Sequence, residues 1–433
     1  MPRHATYAPL NVFINSRRVG VLRRESSGAV EFRYSDEWLA WAHAFPISLS
    51  LPMRPEKYVG APVLAVLENL LPDNEAILRR VAERVHANGT DAYNLLSAIG
   101  RDCVGALQFR PEDTQPGPAG VVDGEELEGH GIEQLLANLT RAPLGLTTDD
   151  DFRISIAGAQ EKTALLRWND RWWKPLGATA TTHIFKRPIG MAHNIDLSDS
   201  VENEYLCLRL TKALGIPVAN AEIEQFGKQK ALVIERFDRL WTSDKRLLRI
   251  PQEDCCQAFS MPPTKKYEAE GGPGAVKILT LLNASDTPTD DQKMFLKALI
   301  TFWLLGAIDG HAKNFSIRIA EGGRFQLSPL YDIVSGQPAV AAGSIRHNQF
   351  KLAMAVGKNR QYVVNSIAPR HFAETAAQAG VGRVVVEEAM QELHSAAVKN
   401  VSHVFKDLPS KFPMKMAEAV QKGFDRRLKM LSA

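Results

Sequence analysis

The sequence predicts an α/β chain with a β-rich first part and a mostly helical second part. Three observations carry this. At 433 residues the chain holds roughly two to three domain-sized units. Short alternating runs bounded by turn residues recur as far as about residue 254. After Pro251, long helical periodicities dominate. A β-rich part followed by a helical part points to a cleft between two lobes, where ligands commonly bind.

The elements follow in order. "LNVFINSRRVGVLRR" reads as a hairpin turning at Asn15-Ser16, and "AVEFRYSD" as a further strand. "PVLAVLENLLPDNEAILRRVAERVH" has helical spacing, with Pro72-Asp73-Asn74 opening its second helix. "GALQFR" reads as a strand that closes this unit. Residues 111–131 are rich in Pro, Gly and acids without an apolar period, so they read as a surface excursion or linker, and no role is assigned to them. Strands return as "FRISI", "KTALLRW", "THIFKRP", "AEIEQF" and "KALVIERFD". The helix "DSVENEYLCLRLTKALGI" interrupts them, with Asp199 as N-cap and Gly215 as C-cap. The helical remainder is broken by "KKYEAEGGPG" and by the short hairpin "FSIRIAEGGRFQLSPLYD". No internal repeat is present.

Composition narrows the classes. The 45% hydrophobic and 23% charged residues are ordinary for a soluble globular protein. Cys103, Cys207, Cys255 and Cys256 form neither a disulfide framework nor a metal knuckle, which predicts a reduced, cytoplasmic protein. The N-terminus lacks the apolar core of a signal peptide. The longest apolar run, Ala298 to Ile308, is well short of the ~20 residues that span a bilayer, so no membrane role is expected. A net charge of +3 does not by itself indicate nucleic acid. From Lys399 onward, however, eight Lys or Arg stand against three Asp or Glu, a basic end able to sit near phosphates as well as to be a solvated face.

The apolar run leads directly into "DGHAKN". Asp309 and Asn314 stand as D-x-x-x-x-N, the spacing at which kinase-type enzymes place a base for the attacking hydroxyl and an amide oxygen for Mg²⁺. The hairpin after Asn314 returns "LYDIVS", so Asp332 can supply a metal carboxylate beside Asn314. The alternative is a buried Asp-His-Asn network that only caps a helix. Lys186 ends a strand on which His183 and Phe185 share a face, which makes it the candidate cation for nucleotide phosphates. Glu204, on the stripe of Leu208, is its expected partner. No G-x-G-x-x-G is present. "GAQEKT" resembles the tail of a Walker loop, but Glu161 stands where the second glycine belongs, so a P-loop is rejected. The small residues Ala157, Gly158 and Ala159 can still bring backbone N–H groups close to phosphates.

Together "RISIAGAQEKTALL", "THIFKRPIG", "NEYLCL", "IERFDR", "PQEDCCQAF", "DGHAKNFS" and "YDIVS" resemble the HipA family, the serine/threonine-kinase toxins of bacterial toxin–antitoxin modules implicated in multidrug-tolerant persistence. The likeness runs through nearly the whole chain, apart from 111–131. It implies a bilobal protein-kinase-like α/β fold, with a mixed α/β N-lobe and a mostly helical C-lobe. The division it implies is 1–112 as the N-terminal subdomain, 113–254 as the ATP-binding remainder of the N-lobe, and 255–433 as the C-lobe carrying the catalytic loop. It makes Asp309 the catalytic base, Asn314 and Asp332 the Mg²⁺ ligands, and Lys186 the phosphate-contacting lysine. It places ATP against Ala157, Gly158, Ala159, Gln160, Glu161 and Lys162. It gives Glu235, Arg236 and Phe237 to the adenine hinge, with Asp238 beside it, and sets His311, Ala312, Lys313 and Tyr331 around the site. It makes Ser155 an autophosphorylation site whose modification expels the ATP loop. It further implies glutamyl-tRNA synthetase as substrate, with translation halted as the result. The implied partner is a HipB-like DNA-binding antitoxin dimer, acting with the toxin on operator DNA in autorepression.

Two other readings remain at this level. "DGHAKN" also resembles the D-R-H-x-x-N loop of phosphoinositide kinases, so a lipid or small-molecule acceptor is conceivable. A catalytically dead co-repressor is the other, and the presence of Asp309, Asn314, Asp332 and Lys186 argues against it.

Overall fold

Asn15 and Ser16 both take positive φ, 45° and 67°. That is the geometry of the two-residue turn that joins antiparallel strands without splaying them. In the computed structural model, which describes residues 7–146, 152–192 and 195–431, the strands Leu10–Ile14 and Arg17–Arg24 therefore pair directly. They form part of a five-stranded antiparallel sheet ordered Tyr58–Val59, Val30–Tyr34, Arg17–Arg24, Leu10–Ile14, Leu107–Pro111. Helices Ala61–Glu68, Glu75–Arg84 and Ala92–Ile99 supply apolar side chains to the same core. Asn74 caps the second of these helices, its Oδ1 accepting from the N–H groups of Ala76 and Ile77.

The chain divides into two compact units. The first comprises 1–187, 224–264 and 318–324, and the second 188–223, 265–317 and 325–433. Residues 113–187 and 224–254 thus fall in the same unit as 1–112, and 188–223 in the same unit as most of the helical part.

A second sheet of the first unit has the order Ala221–Phe226, Gln229–Glu235, His183–Lys186, Lys162–Trp168, Arg171–Pro175, Gly124–Glu126; its edge strand belongs to this unit from Glu224 on. Two expectations are corrected here. Gly124–Glu126, inside the presumed excursion, pairs with the 171–175 strand as a solvated edge. "FRISI" belongs to no strand. Its alternation records burial of Phe152, Ile154 and Ile156 in the core of the first sheet, not ladder pairing. On the second sheet, Leu165, Phe185, Ala231 and Val233 pack against the helix Gly129–Ala137. Trp172 stands edge-on to both His183 and Phe185, so these two do share a face. Lys186, next along the strand, points to the opposite face.

In the second unit, the apolar run is the C-terminal half of the helix Pro288–Leu305. Pro288 opens the helix, and Asp290 and Asp291 sit in its first turn, where the helix dipole favours acids. Gly306 ends it at φ 63°, and a Cβ there would lie 2.5 Å from Phe350 Cζ, so glycine is required both for backbone and for space. Around this helix lie Ser200–Ala213, Ala275–Leu282, Pro369–Gln378, Arg383–Ala396 and Met414–Leu431. Asp199 does stand at the N-cap position of Ser200–Ala213, but its side chain makes no cap bond; Gly215 follows the helix at φ 77°. None of the four cysteines is disulfide-bonded, and all are buried. Among the described residues no helix is long and apolar enough to cross a membrane.

Candidate active site

In the second unit, the helix Pro288–Leu305 delivers a short rigid loop. Asn314 Nδ2 donates to the main-chain oxygen of Asp309 at 2.6 Å. His311 N donates to the same oxygen at 2.8 Å, and Asn314 N to His311 O at 2.9 Å. Ala312, Lys313, Asn314 and the His311 side chain are buried, whereas the Asp309 side chain remains 52% exposed. The amide nitrogen of Asn314 is thus engaged within the loop, which leaves its oxygen as the atom it can offer a cation.

The segment that carries Asp332 is held from several sides, once by the loop itself. Tyr331 Oη donates to Lys313 O at 2.8 Å. Leu330 exchanges main-chain bonds with Pro217 and Ala219. The Asn203 amide donates to Ser335 O and accepts from Ser335 N, both at 2.9 Å. Ser335 Oγ donates to Leu305 O at 2.6 Å. The buried Arg427 guanidinium donates to Leu304 O at 3.0 and 2.9 Å and to Gln337 Oε1 at 3.1 Å. It is a cation at the negative end of the helix that leads into the site. Burial pulls its pKa down to about 9, which still leaves it charged at neutral pH. Within this frame Asp332 adopts φ 57°, a left-handed conformation that Asp tolerates better than most residues and that marks the segment as held by its surroundings. Glu204 is buried on the same helix as Asn203.

In the first unit, Lys162 and Lys186 are directly opposed across adjacent antiparallel strands, and each is only 5% exposed. Lys162 Nζ curls back to Ala157 O at 2.8 Å, closing the small-residue turn. Asp73 N donates to Gly158 O at 3.2 Å, and Gln160 Nε2 donates to Arg187 O. Glu161 pairs with Arg80 at 3.1 Å and accepts from Thr140 Oγ1 at 2.9 Å. Ser155 is fully buried, with Oγ donating to Leu70 O at 2.7 Å.

Glu235 ends its strand exposed, but the side chains of Arg236 and Asp238 are buried in an ionic network. Asp102 accepts from Thr181 N and Oγ1, Arg239 Nη2 and Arg249 Nε at 3.0, 2.7, 2.8 and 2.9 Å, with Arg236 Nη1 at 3.4 Å. Asp238 accepts from Arg236 Nη2 at 2.8 Å, from Gly105 N at 2.7 Å and from Arg239 Nη1 at 3.1 Å. Burial pushes the Asp102 carboxyl up, but the guanidiniums of Arg239, Arg249 and Arg236 outweigh it and hold it well below the usual carboxylate range. The side chains of Arg236 and Asp238 are thus committed to this network, and of their main chain Arg236 N donates to Thr182 O at 2.8 Å and Asp238 O accepts from Ile250 N at 2.9 Å. Phe237 has its carbonyl engaged by Arg318 Nη2 at 3.2 Å. Asp102, Asn203, Ser335 and Arg427 carry no local signal in the sequence, because the partners that give them their roles lie far away in the chain.

Among the described residues no three or more His, Cys, Asp or Glu side chains gather as a metal cage. The donors present, the Asn314 amide oxygen and the Asp332 carboxylate, are hard oxygen ligands of the kind Mg²⁺ takes when phosphates complete its shell. They fit a metal that arrives with a nucleotide, where it would supply positive charge against the phosphates.

Comparison with known proteins supplies the context. The family model for the HipA-like C-terminal domain matches residues 154–401, and that for the HipA N-terminal domain matches 10–110. The protein Y4mE of Sinorhizobium fredii, which bears a kinase name, is 34% identical over 406 residues, 93% of each chain. The serine/threonine-protein kinase toxin HipA of Shewanella oneidensis is 30% identical over 319 residues, 70% of this chain and 69% of that one. A chain in the solved complex of Shewanella oneidensis MR-1 HipA, HipB and operator DNA superimposes with a TM-score of 0.81 at 25% identity, covering 98% of this chain and 97% of that one.

Proposed function

The chain belongs to the HipA family, and from that premise we propose that it is a serine/threonine-protein kinase toxin that transfers the γ-phosphate of ATP to a protein serine. The observation that carries the reading is the clasp within Asp309–Asn314, which keeps a half-exposed carboxylate and an amide oxygen on one rigid loop. In this reading Asp309 is the base, and Asn314 and Asp332 hold Mg²⁺. Lys186, supported by Glu204, and Lys162 meet the phosphates beneath the 157–162 turn. The main chain of 235–237 reads adenine, and His311, Lys313 and Tyr331 shape the loop. The solved complex of the Shewanella relative contains HipB and operator DNA, which supports a HipB-like antitoxin partner and autorepression for this chain. Glutamyl-tRNA synthetase is the proposed substrate, and growth arrest the consequence.

The test is incubation of the full chain with [γ-³²P]ATP and Mg²⁺ in the presence of glutamyl-tRNA synthetase or of phosphoinositide vesicles. Label is expected in protein. Label entering lipid alone would sink the toxin reading in favour of a lipid kinase.

Self-modification follows from the same reading. A phosphate on Ser155 cannot be housed where Oγ sits fully buried on Leu70 O. Adding nearly two negative charges there would drive the segment out of its bed and take the ATP turn with it. The tryptic peptide Ile154–Lys162 contains Ser155 as its only hydroxyl residue. Ser155→Ala is expected to abolish phosphate in that peptide by mass spectrometry, while labelling of glutamyl-tRNA synthetase persists longer than in wild type.

A further inference from the structure

The stretch "KYEAEGGPG", residues 266–274, has no part in the assignments above, yet it is built around one side chain. Tyr267 donates its phenol O–H to Asp309 Oδ1 at 2.6 Å. Its ring meets His311 edge to face, with centroids 5.0 Å apart and planes at 83°. His311 Nε2 lies 3.9 Å from the same Oδ1. Two groups therefore converge on one oxygen of a carboxylate that is otherwise half exposed and able to change rotamer.

Tyr267 is itself tightly held. Its carbonyl accepts from Glu270 N and Gly272 N, each at 3.0 Å. A Cβ on Gly272 would fall 2.1 Å from Lys265 O and 2.8 Å from Tyr267 O, so only glycine closes this turn. The neighbouring Glu268 accepts from Ala355 N at 2.6 Å and pairs with Arg360 at 3.1 Å. Lys266 O accepts from Ala312 N of the catalytic loop at 3.2 Å, which ties turn and loop together.

We propose that Tyr267 is a positioning residue for the base, holding Asp309 Oδ1 so that Oδ2 is the oxygen presented to the acceptor hydroxyl. The inference rests on the kinase reading of Asp309. In the step, the acceptor oxygen forms a bond to the γ-phosphorus while the bond from that phosphorus to the β,γ-bridging oxygen breaks. ADP leaves with the electron pair, and the hydroxyl proton passes to Oδ2. Alignment of this kind acts on turnover and leaves nucleotide binding untouched.

The test is Tyr267→Phe in the full chain, which keeps the ring and its contact with His311 but removes the O–H. Steady-state transfer from [γ-³²P]ATP to glutamyl-tRNA synthetase is measured beside Asp309→Asn, together with thermal melting. Tyr267→Phe is expected to lower kcat about tenfold with the KM for ATP within about twofold and the melting temperature unchanged. An unchanged kcat with Asp309→Asn inactive would overturn this inference alone. A raised kcat would overturn it too, since Tyr267 would then be blocking the acceptor's place. Full activity in Asp309→Asn, or no transfer by wild type either to the synthetase or to its own Ser155, would overturn the kinase reading and this inference with it.

Discussion

Asp309→Asn is expected to lower phosphoryl transfer by about 10³-fold while leaving ATP binding in place. The estimate is the middle of the range of about 10²- to 10⁴-fold for removing a positioned general base. The substitution is nearly isosteric, and the loop does not depend on the carboxylate for its shape. Asn314 Nδ2 and His311 N both hold the main-chain oxygen of Asp309, which the variant retains. An amide oxygen can still accept from Tyr267, but it cannot take a proton at neutral pH. The Mg²⁺ donors Asn314 and Asp332 and the lysine pair are untouched, so ATP with Mg²⁺ should raise the melting temperature of variant and wild type alike. In cells the variant should no longer arrest growth when induced. Undiminished label transfer or undiminished toxicity would remove the kinase mechanism.

Much of the scaffold was legible because its signals are local. Asn15-Ser16 is a turn sequence that sits between two alternating runs. Asn74 is an N-cap next to the helix it caps. The run from Ala298 is buried because little in it is polar. The loop that follows was legible for a related reason, since Asp309 and Asn314 lie five residues apart and bond to each other. What escaped depends on partners distant in sequence. The resemblance gives Arg236 to the adenine hinge and sets Asp238 beside it, but it carries no sign of where their side chains go, and the fold directs them to Asp102 and Gly105, more than 130 residues earlier. "FRISI" has the alternation of a strand, but alternation reports which side chains are buried, not what the backbone pairs with. Gly124–Glu126 shows the converse: an edge strand exposed to water needs no apolar period, so nothing marked it. Tyr267 could have been suspected from the glycines around it. A turn as glycine-rich as "EGGPG" inside a helical region signals a backbone that must pass close to something.

Asp102→Ala is expected to cost about 3–5 kcal/mol in the stability of the first unit, the range for removing one partner from a buried ionic network. Three guanidiniums, those of Arg236, Arg239 and Arg249, reach this carboxylate, and all are 2–4% exposed. Without it they would share Asp238 alone, so the buried site would carry an excess of two positive charges where it now carries one. Thr181 N and Oγ1 would lose their acceptor as well. The loss is a large part of the 5–15 kcal/mol that ordinarily separates folded from unfolded. It should appear as a lowered urea midpoint by the fluorescence of Trp168, Trp172 and Trp173, which lie in the same unit. Glu75→Ala, which breaks the exposed Arg79–Glu75 pair, should leave that midpoint where it is, because water already screens those charges. The pH dependence has a definite sign. Because the folded carboxyl titrates below its unfolded value, the contribution of Asp102 is present above about pH 4 and is lost as the pH falls further, toward the folded pKa. Asp102→Asn separates charge from shape, since it keeps an acceptor for Thr181 while removing the negative charge. If charge balance is what holds 178–182 and 236–249 around residue 102, the asparagine variant should be nearly as unstable as the alanine one. A wild-type urea midpoint for Asp102→Asn would show that the carboxylate serves only as a hydrogen-bond acceptor.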